Sequence, residues 1–367
     1  MSLLHLENVR VNRRGRTLLH LSLRVDPGEF VAVLGPAGAG KSTLLRAICG
    51  LERVSNGRIV IGDRDVTKRA PEQRQTSLVM DDAGLFPHMT VEQNVAFAVS
   101  TERADPTPRE QVAVALTSME IDHLAHRYPR HLSTGERQKV ALARALVRRP
   151  LVMAFDEPLA HVDTMAARSL RYQIARVHTR MNCATLYVTH DIREAMSLAT
   201  RIIYLEAGEL LQDDYPEDIH DYPATANIAR HMGARTFLKM QATIKTDSWG
   251  QCSARGTLLG QSITIPTAAA PTGTHHVLVC GYENAVRIHR TNASARHGLH
   301  RNVGQVLKNT YRGNHFLTSI ETEAGVVYAA TGRDEGVLPG DLVEVELCET
   351  HLWGLPETQA DNQVKPK

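Results

Sequence analysis

Long apolar segments are missing from this sequence. No stretch reaches the ~20 consecutive apolar residues that a membrane-spanning helix requires, so we expect that this chain does not cross a bilayer itself. We also expect no secretory signal at residues 1–8, because their short apolar run carries a charge in its interior. If the protein drives transport, we expect other chains to supply the pathway.

An excess of charge of either sign is also absent. The 42 basic residues nearly balance the 40 acidic ones, and the formal net charge of +2 argues against a nucleic-acid-binding surface. The cysteines are few and lie far apart, with no spacing typical of a metal site, so we expect reduced thiols in a cytosolic protein. They are Cys49, Cys183, Cys252, Cys280 and Cys348.

The length of the chain, 367 residues, indicates two domains rather than one. Up to about residue 235, short apolar runs alternate with segments of helical spacing, which predicts an α/β domain with a mostly parallel sheet. Beyond it, short β-like runs separated by Gly, Pro, Asn and Asp predict a small all-β domain. We therefore divide the chain into residues 1–235, with a helical insertion at about 88–148, then 236–355, and a polar tail at 356–367.

A glycine-rich loop follows the apolar run at residues 30–34. Its spacing is that of a phosphate-binding loop, in which backbone N–H groups curl around the β-phosphate. Lys41 would neutralise the β- and γ-phosphates, and the Ser42 hydroxyl could bind Mg²⁺. The residues predicted to bind ATP here are Gly35, Pro36, Ala37, Gly38, Ala39, Gly40, Lys41, Ser42 and Thr43.

Two adjacent carboxylates end the apolar run at residues 151–155. We predict that Asp156 holds Mg²⁺ and that Glu157 activates the attacking water as a general base. The alternative is that both acids are solvated and only cap the helix after Pro158.

Residues 132–138 read Leu-Ser-Thr-Gly-Glu-Arg-Gln and precede a good helical segment. This run resembles the signature loop of ATP-binding-cassette (ABC) ATPases, usually Leu-Ser-Gly-Gly-Gln, and the resemblance extends from about Leu3 to Arg235. It implies a P-loop NTPase core of the ABC ATPase type, whose two copies dimerise head to tail. Ser133 and Gly135 would then contact the ATP held by a partner; the alternative is a plain helix cap by Ser133 with Glu136.

The same resemblance assigns three more roles. His190, in the run Tyr-Val-Thr-His-Asp at residues 187–191, matches the switch histidine that would bond the γ-phosphate and position Glu157. The catalytic pair would therefore be Glu157 and His190. Asp163 matches the acid of the loop that links the two sites of the dimer.

Three positions depart from the family pattern. Asp81 stands where a glutamine usually joins Mg²⁺ to the transporter-facing surface; it can ligate the metal, but it adds negative charge. Arg14 replaces the aromatic ring that stacks on adenine, and a guanidinium can also stack on a base. Thr134 replaces a glycine and restricts the loop backbone. We interpret the site as a working but tuned ATPase; the alternative is a weakened member of an unequal ATPase pair.

The β-rich domain resembles the OB-like regulatory domain of ATPases from binding-protein-dependent importers for sugars, glycerol phosphate, polyamines or ferric ion. Residues 343–353 favour the sugar and glycerol-phosphate group, whereas residues 232–238 favour the ferric-ion and polyamine group. The alternative for both is ordinary β-core packing. Phe86 would line the groove that receives a short permease helix, unless it is simply buried.

The resemblance thus implies an ATPase that powers solute import, with ATP and Mg²⁺ as ligands. It would lie peripherally on the cytoplasmic face of the membrane, as a homodimer or with a paralogous ATPase. Its partners would be two transmembrane permease subunits and an extracytoplasmic solute-binding protein, with no nucleic acid. Two rival classes are an exporter ATPase, disfavoured by the β-rich domain, and a soluble ABC ATPase acting on nucleic acid or ribosomes, disfavoured by the single cassette without heptads.

Overall fold

The computed structural model describes residues 2–99, 107–290 and 302–357, and it divides into two units, Met1–Pro216 and Glu217–Lys367. Residues 217–235, which we assigned to the first domain, therefore group with the second unit. From residue 358 onward, the predicted polar tail lies outside the described residues. No helix in the described ranges combines the length and apolar character needed to span a membrane.

The first unit contains ten strands within its described residues, and they form two sheets. In chain order they are β1 Leu4–Arg13, β2 Arg16–Val25, β3 Phe30–Leu34, β4 Asn56–Ile61, β5 Arg64–Asp65, β6 Thr76–Met80, β7 Val152–Asp156, β8 Ala184–Val188, β9 Arg201–Glu206 and β10 Glu209–Asp214. The six-stranded sheet has the order β10-β9-β3-β8-β7-β6, and the antiparallel sheet has the order β2-β1-β4-β5.

The six-stranded sheet is the predicted α/β core. Its strands β3, β6, β7, β8 and β9 are parallel, and only the edge strand β10 runs antiparallel. All five residues of β3 and of β8 are buried, which explains why these strands read as continuous apolar runs. Because parallel strands end at one edge, the residues that follow β3, β7 and β8 meet there.

Within the described residues of this unit, six α-helices accompany the sheets. They are α1 Lys41–Cys49, α2 Val91–Ala96, α3 Pro108–Ser118, α4 Thr134–Val147, α5 Thr164–Met181 and α6 Ile192–Leu198. One apolar cluster joins α1 to the antiparallel sheet and one face of the core sheet, and another joins α2–α5 to the opposite face. The described residues of the predicted helical insertion at about 88–148 include α2, α3 and α4.

The second unit is mostly β-structure. After the short helices α7 Pro216–Asp221 and α8 Ala226–Met232, five strands of the described residues close a barrel and five others form a sheet. The barrel strands are β11 Thr236–Thr246, β12 Cys252–Leu258, β13 Gln261–Thr267, β14 Gly273–Gly281 and β20 Leu352–Pro356. The sheet strands are β15 Val286–Arg290, β16 Val303–Tyr311, β17 Phe316–Thr322, β18 Gly325–Thr331 and β19 Leu342–Leu347.

Aromatic contacts explain why residues 217–235 belong to the second unit. The Tyr282 ring stacks on His220 with 4.1 Å between the centroids, and the Tyr282 hydroxyl donates to the His220 carbonyl at 2.6 Å. The Trp353 indole donates to the Pro223 carbonyl at 2.9 Å. Sequence spacing could not reveal these contacts, because Tyr282 and Trp353 follow the helices by 62 and 130 residues.

Candidate active site

The glycine loop connects β3 to α1, and its backbone explains its glycines. Gly35, Gly38 and Gly40 have φ values of 143°, 77° and 101°. A Cβ on Gly35 would lie 2.0 Å from the Leu205 carbonyl oxygen, so no side chain fits there. Gly40 begins α1 without a side-chain cap, which leaves first-turn N–H groups available to an anion.

Lys41 is held inside the loop that it follows. Its side chain is buried, and Nζ donates to the carbonyls of Gly35 at 2.7 Å and Pro36 at 3.0 Å. Burial lowers the pKa of Lys41, and the nearby Glu157 and Asp156 carboxylates partly offset that shift. The Lys41 ammonium is therefore held at the place where the phosphates are predicted to lie.

Ser42 and Asp156 form the predicted metal-binding pair. The Ser42 hydroxyl donates to Asp156 Oδ1 at 2.9 Å, across from α1 to the end of β7. Burial raises the pKa of Asp156, while the bond from Ser42 lowers it. Hydroxyl and carboxylate oxygens suit Mg²⁺, which keeps few protein ligands and takes the rest from phosphates and water. The described residues contain no cluster of three His, Cys, Asp or Glu that could hold a metal.

Glu157 and His190 meet at the ends of the neighbouring strands β7 and β8. His190 Nδ1 lies 2.9 Å from Glu157 Oε2. Glu157 adopts a left-handed backbone with φ 49°, and its N–H donates to the Val188 carbonyl at 3.0 Å. A left-handed backbone is unfavourable for residues other than glycine, and it persists only where the surrounding structure imposes it. A cavity of about 300 Å³ beside the pair leaves room for water.

A buried carboxylate that the sequence analysis missed supports the His190 loop. Glu194 Oε2 accepts hydrogen bonds from the Tyr187 hydroxyl at 3.0 Å and the Thr189 hydroxyl at 2.8 Å. Burial raises the pKa of Tyr187, so the phenol stays a donor. The only sequence signal was an acid four residues after His190, on the first turn of α6.

The signature residues lie at the start of α4. Ser133 Oγ accepts from the Glu136 N–H at 3.2 Å, and Glu136 Oε2 accepts from the Ser133 N–H at 2.7 Å. The helix-cap geometry that we kept as the alternative is therefore present. Thr134 Oγ1 accepts from Arg137 at 3.1 Å, and Gly135 is buried; a Cβ there would lie 3.2 Å from Ala166 Cβ.

Three further predicted residues lie in different settings. Asp163 caps α5, where its Oδ1 accepts from the Met165 and Ala166 N–H groups at 3.1 and 3.0 Å. Arg14 is exposed, with φ 50°, in the two-residue turn between β1 and β2. The Asp81 carboxylate lies 3.7 Å from His161 Nδ1, and its charge contributes to raising the pKa of Asp156 after burial, the main cause.

Comparisons with known proteins agree with this arrangement. Residues 18–160 match the protein family described as "ABC transporter". Among the curated relatives is an sn-glycerol-3-phosphate import ATP-binding protein of Burkholderia cenocepacia, 40% identical over 276 residues that cover 74% of each chain. A protein of the same description from Brucella abortus is 36% identical over 279 residues, 74% of this chain and 76% of that one.

Solved structures agree with this family for part of the chain. A protein from Clostridium perfringens that is part of an ABC transporter complex is 27% identical with a TM-score of 0.54, over 59% of this chain and 90% of that chain. A dimeric ATP-binding cassette bound to ADP and Pi, in a post-hydrolysis state, is 27% identical with a TM-score of 0.52, over 58% of this chain and 98% of that chain.

Proposed function

Because this chain belongs to the ABC transporter family, as an ATP-hydrolysing subunit that powers solute import, we propose that Glu157 and His190 carry out the hydrolysis. The observation that supports this assignment is the 2.9 Å contact between them, with Lys41 and Asp156 near enough for the Glu157 charge to raise the pKa of both. Glu157 acts as the general base for the attacking water. His190 Nδ1 lies at hydrogen-bond distance from that carboxylate and orients it, and the other face of the ring is directed to the γ-phosphate.

We propose that the glycine loop cradles the phosphates. The uncapped N-terminus of α1 and the Lys41 ammonium stabilise their negative charge, and the left-handed glycines let the backbone approach closely. Arg14 stacks on the base from its exposed turn. Ser133 and Gly135 of a partner chain close over the γ-phosphate, and Asp163 lies in the loop between the two sites.

Ser42 and Asp156 would hold Mg²⁺, with Asp81 as a further oxygen ligand. When bound, the ion neutralises charge on the β- and γ-phosphates. The Ser42–Asp156 hydrogen bond holds the hydroxyl and the carboxylate at the same place. Chelation of Mg²⁺ is expected to abolish turnover, because the charge on the phosphates is then not neutralised.

The relatives imply a dimeric ATPase that works with transmembrane permease subunits and associates peripherally with the membrane. We propose that it lies on the cytoplasmic face, that the Phe86 region docks a permease, and that an extracytoplasmic binding protein delivers the solute. For the cargo we propose sn-glycerol-3-phosphate, because the import proteins at 36–42% identity carry that description. Uptake of the labelled compound by cells with and without this chain tests the cargo alone.

The test of the catalytic assignment is Glu157→Gln in the assembled transporter. Turnover should fall by ~10²-fold or more, because the amide cannot accept the proton from water. Glu209→Gln, an exposed glutamate at the edge of the same sheet, is the matched control and should leave turnover unchanged. Unchanged turnover in Glu157→Gln would overturn the assignment.

A further inference from the structure

The segment at residues 81–90, which joins β6 to α2, has no helix or strand of its own, yet hydrogen bonds hold its backbone and that of the preceding Met80 in place. Side chains from two helices bind its carbonyl groups at normal hydrogen-bond distances. The bonds from α4 run from Gln138 to the carbonyls of Met80 and Asp81 at 2.9 and 2.7 Å, and from Arg144 to those of Ala83 and Gly84 at 2.9 and 2.6 Å. The fully buried Asn94 of α2 binds the carbonyls of Phe86, Met89 and Thr90 at 3.0–3.1 Å.

The hydrogen bonds from α4 to this segment belong to the stronger kinds. Gln138 is 2% exposed, so water does not compete for its two hydrogen bonds. Burial lowers the pKa of Arg144, with Asp82 partly offsetting it, and its bonds belong to the stronger charge-assisted class. Ala83 adopts a left-handed backbone with φ 59°, a conformation that persists only where neighbours impose it.

The same helix also carries the signature loop. Its N-cap is Ser133, and Gln138 and Arg144 follow on the helix that runs from Thr134 to Val147. Arg144 reaches the predicted docking surface too, since its Cζ lies 5.9 Å from the centre of the Phe86 ring. A displacement of the N-terminus of α4 must therefore move the segment or break four side-chain-to-backbone hydrogen bonds.

We propose that Gln138 and Arg144 are positioning residues that join α4 and residues 80–86 into one moving body. Closure of a partner's nucleotide on Ser133 is thereby transmitted along α4 to the Phe86 surface. The inference rests on the proposed function, which supplies the nucleotide at Ser133 and the permease at Phe86. It assigns the coupling to the backbone carbonyl of Asp81 rather than to its carboxylate, which explains how the chain can lack a glutamine there.

Arg74 offers a matched control for Arg144. It is a buried arginine whose guanidinium also donates to backbone carbonyls, two at the C-terminal end of α1 and two at residues 67 and 69. Arg144→Lys and Arg74→Lys each keep the charge and lose the forked geometry. Both should lower the melting temperature, and neither residue contacts the predicted ATP site. Only Arg144→Lys should uncouple residues 80–86 from the movement of α4.

The first measurement is hydrogen exchange of residues 84–90 on adding ATP and Mg²⁺, in the Glu157→Gln background. The second is basal and solute-stimulated turnover of the assembled transporter with Glu157 intact. Arg144→Lys should keep ATP binding and basal turnover but lose the ATP-induced protection and ~5- to 10-fold of the stimulation. Arg74→Lys and Asp81→Asn should keep the protection. If Arg144→Lys fails to assemble, Gln138→Glu, which removes both amide donors, takes its place with the same expectation.

Protection that persists in Arg144→Lys, or that disappears equally in Arg74→Lys, would overturn the inference. A wild-type transporter that binds ATP but never hydrolyses it would instead overturn the proposed function. The two failures are therefore distinguishable, because one concerns transmission along α4 and the other concerns the chemistry at Glu157.

Discussion

Two helix N-termini are proposed to bind ATP, those of α1 and α4, and they differ in how their N–H groups are capped. Gly40 starts α1 without a side-chain cap, whereas Ser133 starts α4 with a complete capping box. In α4, first-turn N–H groups already bind the chain's own side chains, and the Glu136 carboxylate stands where the usual signature has glutamine. The comparison teaches that the glycine loop is ready for an anion in one chain, while the signature loop must be reached by a partner's nucleotide.

The largest effect should come from breaking the glycine loop. Lys41→Met removes the buried ammonium, so ATP affinity and turnover should fall by ~10²-fold or more. The melting temperature should stay level or rise, because burial already disfavours the charged form of Lys41. Equilibrium ATP binding measures the affinity and thermal melting measures the stability. The control is Lys68→Met, a substitution at an exposed lysine. Tight ATP binding by Lys41→Met would contradict the assignment.

Breaking the signature side should be milder and more selective. Ser133→Ala should cost about 1 kcal/mol of stability through the lost cap and lower turnover ~10- to 100-fold. ATP affinity of the single chain should stay the same, since that site is built elsewhere. Thr107→Ala is the control, because Thr107 forms the same capping box with Glu110 on α3. If both variants lose only stability, Ser133 is a cap and nothing more.

A smaller change sharpens the contrast between the two termini. Glu136→Gln keeps an oxygen that accepts from the Ser133 N–H, yet it removes a negative charge from the approach of the γ-phosphate. ATP-dependent association of the Glu157→Gln protein should therefore tighten by ~2- to 5-fold. Analytical ultracentrifugation over a range of protein concentrations measures this association, and Glu110→Gln on α3 is the matched control. Weaker association after Glu136→Gln would show that the carboxylate helps rather than opposes closure.

The smallest effect concerns Asp81. Burial is the main reason that the pKa of Asp156 is raised, and the Asp81 charge adds to it. Asp81→Gln should lower that pKa and keep Asp156 ionised to lower pH, so the Mg²⁺ needed for half-maximal turnover should rise ~2-fold less on acidification than in the unchanged protein. Because the folded protein holds the extra proton, stability falls as pH rises through this window, less steeply in the variant. Equal Mg²⁺ titrations at two pH values would make Asp81 a neutral replacement.

Local spacing was sufficient where a function depends on neighbours in the chain. The glycine loop, the paired acids after β7 and the α/β class with a β-rich second unit were all predictable, because periodicity and turn chemistry act over a few residues. The left-handed backbone of Glu157 was not, since it depends on the neighbouring strand β8. Gln138 and Arg144 were also missed, because they bind carbonyls about 60 residues away in a segment without a motif.

The most direct measurement is the mass and nucleotide content of the Glu157→Gln protein in solution with ATP and Mg²⁺. A pair of chains holding two ATP molecules is predicted, with single chains in ADP. Ser133→Arg in the same background should return the protein to single chains that still bind ATP, because only the partner's side of the site is blocked. A single chain that binds ATP without pairing, or a pair unaffected by Ser133→Arg, would contradict a site shared between the two helix N-termini.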